Sequence, residues 1–158
     1  MDASRAAAID FPLSGMPGSA QTSDPHASMS LRIHGGVDAP RQARKWVLSQ
    51  LEGHIVQTTA SDVALVVSEL VTNSVLHADV GPLRTLTVEL VTLADRLRIS
   101  VIDPGSRLEP RILPPDQDRV GGIGLLIVSE LSEAWGVARD GVEGTRVWCD
   151  IAFDPSRS

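Results

Sequence analysis

The chain has 158 residues, a net charge of −6 and a sequence pI near 5.1, and 42% of its residues are apolar. That size and apolar content allow one domain with one buried core. The negative net charge disfavours nucleic-acid binding, because neutralising phosphates requires clustered lysine and arginine. This acidic chain contains a single lysine, Lys45.

Cysteine usage and hydropathy indicate a cytoplasmic protein that does not contact a membrane. The single Cys149 can form neither an internal disulfide nor a zinc site built from several thiolates, which fits a reducing compartment. No apolar run approaches the roughly 20 residues that cross a bilayer. The N-terminus also lacks the basic and then apolar order of a signal peptide.

The first half of the chain predicts a tail, a strand and two helices. Residues 1–28 are rich in Ala, Ser, Gly, Pro and Asp, so we expect a disordered tail, with a docking segment as the alternative. Order is expected to begin near Met29, with a short strand that ends at a Gly35-Gly36 turn. A helix is predicted from about residue 39 to 52, and a second from Ser61, as its N-cap, to about residue 77.

The second half predicts strands separated by one loop and one helix. Residues 83–92 and 97–102 alternate apolar and polar side chains, which is typical of a hairpin. A proline-rich loop over 104–121, a helix over 123–131 and strands over 134–139 and 145–153 follow. This order predicts an α+β domain over residues 29–154, with a layer of helices on a mostly antiparallel mixed sheet and a short tail of residues 155–158.

Three polar side chains recur along the second predicted helix. Glu69, Asn73 and His77 follow at four-residue intervals, so each lies only about 40° around the helix from the one before. The stripe could simply face solvent. A carboxylate beside a carboxamide also offers the oxygen donors that Mg²⁺ prefers and a base that can accept a hydroxyl proton.

Two glycine-containing segments add further candidates. Asp103 ends an apolar strand before Pro104-Gly105, where it could stabilise an ordinary turn or accept a hydrogen bond from the exocyclic amine of adenine. The sequence GGIGLL at 121–126 places glycines before a helix, where free amides could bind phosphate or the glycines could form a hinge. It matches neither the Rossmann fingerprint nor a P-loop.

The order and spacing of these segments over residues 30–153 resemble the GHKL ATPase superfamily, whose domain is the Bergerat ATP-binding fold. The phrases VVSELVTNSVLHA, GGIGLLIVSELSEAWGV and GTRVWCDI are similar to the anti-sigma-factor serine/threonine kinases of bacterial partner-switching systems. The resemblance implies ATP and Mg²⁺ as cofactors, and a sigma factor and an anti-sigma antagonist protein as partners. It leaves a homodimer open.

The resemblance also implies a role for individual residues. Glu69 would be the general base that deprotonates a serine or threonine of the antagonist, and Asn73 would hold Mg²⁺. The residues implied to line the nucleotide are Asn73, Asp103, Gly105, Gly122, Gly124, Leu125 and Thr145, with Asp103 and Thr145 at the adenine. Arg107 stands where the family usually has a second glycine, which leaves open a non-catalytic ATP-binding module that acts by protein binding alone.

Overall fold

The computed structural model describes residues 27–77, 81–105, 124–140 and 144–153. The predicted N-terminal tail therefore lies outside the described residues except for Ala27 and Ser28. Most of the predicted loop, including Arg107, also lies outside them, as do Gly122 and the tail of residues 155–158.

The order of helices and strands is the predicted one. The described elements are β1 (Ser28–His34), α1 (Ala39–Leu51), α2 (Gln57–His77), β2 (Thr85–Thr92), β3 (Arg96–Asp103), α3 (Gly124–Leu131), β4 (Ala134–Asp140) and β5 (Gly144–Ala152). The α+β class is confirmed.

The strands form a five-stranded sheet in the order β1-β2-β3-β5-β4. Each neighbouring pair is antiparallel, and the predicted β2–β3 hairpin is confirmed, with Thr92 opposite Leu97. The helices cover one face, because α2 contacts β3 and β5 while α1 contacts β1 and α3 contacts β4. The result is the predicted two-layer sandwich.

The predicted N-cap of α2 is wrong. The helix begins at Gln57, and Ser61 lies one turn inside it, where its hydroxyl donates to the Gln57 carbonyl at 3.0 Å. The backbone amide of Ala60 already bonds the Val56 carbonyl, so the helical pattern starts before Ser61. Serine hydroxyls can form this hydrogen bond within a helix, so a serine alone does not mark the N-terminus of a helix.

The core lies between α2 and the inner face of the sheet. Its fully buried members include Val63, Val66, Val67, Leu70 and Val71 of α2 and Val88, Leu90, Ile99, Val101 and Val147 of the strands. By length and hydropathy alone, Gln57–Leu76 could cross a membrane. Here α2 packs against α1, α3 and the sheet, which is typical of a core helix.

Candidate functional site

Glu69 lies against the first residue of α3. A Cβ atom built on Gly124 would stand 2.7 Å from Glu69 Oε2, closer than real Cβ atoms approach other atoms. Glycine therefore leaves the space that the carboxylate occupies. This contact brings the predicted base to the start of the predicted glycine-led helix.

Partial burial changes the acidity of Glu69. Desolvation raises the pKa of its carboxyl above the ordinary value of 4.5, because burial penalises the charged form. A higher pKa makes a carboxylate a stronger proton acceptor. The environment of Glu69 therefore suits a general base better than a fully solvated glutamate on the same helix would.

Asn73 and Ser74 continue the site one turn further along α2. Both are buried, at 8% and 2% exposure. The small remaining exposure of Asn73 places it at the edge of the core, four residues from Glu69. His77 is the last residue of α2, and its side chain lies outside the described part of the chain.

Asp103 is a buried carboxylate at the end of β3, with 5% exposure. Its Oδ1 accepts a hydrogen bond from the backbone amide of Gly105 at 2.8 Å. Gly105 has a φ of 105°, a conformation that glycine adopts readily and other residues rarely do. Asp103 therefore stabilises this turn through Oδ1.

Burial raises the pKa of Asp103 above its ordinary 3.8. Three groups oppose this rise, namely the Gly105 amide, the Ser74 side chain and the positive charge of Arg84. These groups favour the ionised form that accepts hydrogen bonds from an amine. Ser74 lies close enough to act on the carboxylate, yet its Oγ has no hydrogen bond of good geometry among the described atoms.

The predicted residues fall into two groups joined by α2. Thr145 is directly opposite Asp103 in the β3–β5 register. Gly124 is buried beside Glu69, and Leu125 packs in the hydrophobic core. Asn73 lies on α2 between the two groups, while Gly122 lies outside the described residues.

Ser74 and Arg84 are the site residues that sequence reasoning missed. Ser74 lay within the predicted second helix and Arg84 within the predicted strand over residues 83–92, and neither was assigned a role. For Ser74 the available signal was its spacing from Leu70 and Val71, three and four residues earlier, which places it on the buried side of α2.

Comparison with known families identifies the domain. Residues 37–151 match a family model described as the histidine kinase-like ATPase domain, and this range contains every candidate residue named above. Among curated proteins, no significant match was found.

Proposed function

The chain belongs to the family of histidine kinase-like ATPases, and we propose that it is an anti-sigma regulator that phosphorylates a serine or threonine of an anti-sigma antagonist protein. The observation that carries this proposal is the contact of Glu69 with Gly124 at the start of α3. A helix N-terminus offers free amides to phosphates, and the base stands beside it. The anti-sigma subtype is supported by the resemblance of the segments around Glu69, Gly124 and Thr145.

Asn73 fits the role of a Mg²⁺ ligand. It offers a carboxamide oxygen at the edge of the core, one helical turn from Glu69. Within the described ranges, no three His, Cys, Asp or Glu side chains come together to form a protein-only metal cage. Mg²⁺ commonly keeps phosphates and water in its shell, so one protein oxygen suffices, and the bound ion would neutralise charge on the triphosphate.

The other candidate residues have two separate roles, which are adenine recognition and phosphoryl transfer. Asp103 accepts a hydrogen bond from the exocyclic amine of adenine, with Thr145 beside it on β5. At the other end, Glu69 accepts the proton of the antagonist's hydroxyl as that oxygen bonds to the γ-phosphorus. The bond from the γ-phosphorus to the bridging oxygen breaks, ADP leaves, and the phosphate stays on the antagonist. The phosphorylated antagonist then dissociates, which frees the regulator to hold its sigma factor.

Calorimetry with ATP and Mg²⁺ tests the binding half of the proposal. Wild type should bind, and Asn73→Ala should bind more weakly because the metal loses its protein ligand. The absence of binding heat for the wild type would refute ATP binding. Equal affinities of the two proteins would remove Asn73 as the ligand.

Transfer of labelled phosphate from ATP to candidate antagonist proteins tests the catalytic half. Glu69→Gln should abolish labelling while largely sparing ATP affinity. Glu130→Gln is the matched control, because Glu130 is an exposed glutamate of α3. Undiminished labelling by Glu69→Gln would exclude Glu69 as the base. An antagonist that associates in the presence of ATP without being labelled would favour the alternative of a module that acts by binding alone.

A further inference from the structure

Ser74 is a buried side chain whose hydroxyl forms no hydrogen bond of good geometry in the described part of the chain. It is 2% exposed, and its Oγ forms no hydrogen bond among the described atoms. Buried hydroxyls are nearly always hydrogen-bonded, because removing them from water without compensation is unfavourable. The unmet hydrogen bond of Ser74 therefore points to a partner that reaches good geometry only when a ligand is bound.

Other serines of the helical layer behave differently. Ser61, Ser68 and Ser132 each donate to the backbone carbonyl four residues earlier. Ser74 had the same option with the carbonyl of Leu70 and does not use it. Ser74 instead lies beside Asp103 and favours the ionised form of that carboxylate.

Among the described residues, the neighbouring Asp103 carboxylate accepts one hydrogen bond of good geometry. Oδ1 of Asp103 accepts the Gly105 amide at 2.8 Å. An ionised carboxylate can accept about four hydrogen bonds. A carboxylate with spare acceptor capacity, beside a hydroxyl that can hold it in place, is a site that a hydrogen-bond donor on a ligand would complete.

We propose that Ser74 is a positioning residue for adenine, whose hydroxyl holds the Asp103 carboxylate toward the exocyclic amine of the base. The inference rests on the proposed adenine-binding role of Asp103. Ser74 donates to the carboxylate, and the carboxylate accepts from the amine of the bound base. Ser74 thereby favours purines that carry an amine at this position over purines that lack it.

The test compares two nucleotides in the presence of Mg²⁺. ATP carries the exocyclic amine, and purine riboside 5′-triphosphate has hydrogen in its place. Ser74→Ala should weaken ATP binding about 3- to 10-fold, as expected for one lost hydrogen bond. The affinity of Ser74→Ala for the analogue should stay within about twofold of the wild-type value, because the analogue has no exocyclic amine to donate a hydrogen bond to Asp103. The midpoint of thermal unfolding of the empty protein should change little, because the Ser74 hydroxyl forms no hydrogen bond of good geometry there.

Three further variants keep the test decisive. Ser61→Ala, on the exposed side of the same helix, should change neither affinity. Ser74→Thr retains the hydroxyl and should retain the preference for ATP. Ser74→Cys, close in size but a weak donor, should repeat the alanine result if Ser74→Ala is unstable.

Two results would overturn the inference alone. One is unchanged ATP affinity in Ser74→Ala, and the other is an equal loss for both nucleotides together with a lower unfolding midpoint, which would indicate a packing role. A wild-type protein that fails to bind ATP would overturn the inference together with the function on which it rests, and this is seen before any variant is compared.

Discussion

Replacing Asp103 with asparagine separates the contribution of this carboxylate to ATP binding from its effect on stability. Burial raises the pKa of Asp103 above the 3.8 of a free aspartate. The stability associated with this raised pKa is fully present below pH 3.8 and is lost as pH rises through the folded-state pKa. At neutral pH the ionised, desolvated carboxylate therefore destabilises the empty protein, and Asp103→Asn should have an equal or higher free energy of unfolding.

The same substitution should weaken ATP binding for a stereochemical reason. The asparagine Oδ1 can still accept the Gly105 amide, which the carboxylate accepts at 2.8 Å. Its Nδ2 then replaces the second carboxylate oxygen and presents hydrogens to the adenine amine, which is also a donor. A hydrogen bond to a charged group contributes about 1.5–3 kcal/mol. The expected loss of ATP affinity is therefore about 10- to 150-fold.

Calorimetric titration with ATP and Mg²⁺ at pH 7 and urea unfolding of the empty protein measure the two effects. Asp95→Asn is the matched control, because the Asp95 side chain is 81% exposed at the β2–β3 turn and should change neither quantity. An Asp103→Asn protein that loses stability but keeps wild-type ATP affinity would refute the reasoning. Asp103 would then be a turn residue with no role in base recognition.

Three further changes test the packing and the base. Gly124→Ala should slow phosphoryl transfer about tenfold or more, because its Cβ displaces Glu69 Oε2. Gly81→Ala, whose Cβ meets nothing within 4 Å, is the control, and an unchanged transfer rate in Gly124→Ala would count against the contact. Gly136→Ala should lower the free energy of unfolding by about 1–3 kcal/mol in urea, because its Cβ would lie 2.9–3.0 Å from Trp148 ring atoms, and wild-type stability would show that the ring can move freely. The transfer rate should fall as pH is lowered through the pKa of Glu69, at a higher pH than an ordinary glutamate would give, and a flat profile would exclude an ionised Glu69 from the step.

The order of elements could be predicted from the sequence because its signals are local. Alternating side chains define β2 and β3, and glycine and proline mark the breaks between elements. The start of α2 could not be predicted, because Ser61 has the chemistry of an N-cap and the structure uses it inside the helix. Whether a serine caps a helix or bonds the preceding turn depends on the neighbouring backbone, which the residue type alone does not report.

The sequence predicted those features of the site that depend on residue spacing within one element, but not the contacts between elements. The four-residue interval from Glu69 to Asn73 places both on one side of α2, but the contact of Glu69 with Gly124 depends on how α2 and α3 pack. The pairing of Thr145 with Asp103 depends on the register between β3 and β5. Ser74 was missed because its importance comes from Asp103, which is distant in sequence and adjacent only in the fold.

Two buried carboxylates on neighbouring strands show how a ligand site differs from a structural ion pair. Asp150 of β5 accepts two hydrogen bonds from Arg98, at 2.7 and 2.8 Å, and the Arg98 guanidinium also lies 4.3 Å from the centre of the Trp148 ring. This carboxylate is satisfied by protein atoms, and removing either partner would leave an uncompensated charge. Asp150 therefore needs no ligand to complete its hydrogen bonding.

Asp103 of β3 is buried to a similar degree, but within the described ranges it accepts one backbone hydrogen bond and lies beside Ser74, whose hydroxyl forms no hydrogen bond of good geometry. An apolar pair at Asp103 and Ser74 would extend the core formed by Leu70 and Val101 without that desolvation. Polar groups that destabilise the empty protein are retained where a ligand compensates them. This incomplete hydrogen bonding supports the adenine site independently of the motif that first suggested it, because it depends on burial and geometry rather than on spacing along the chain.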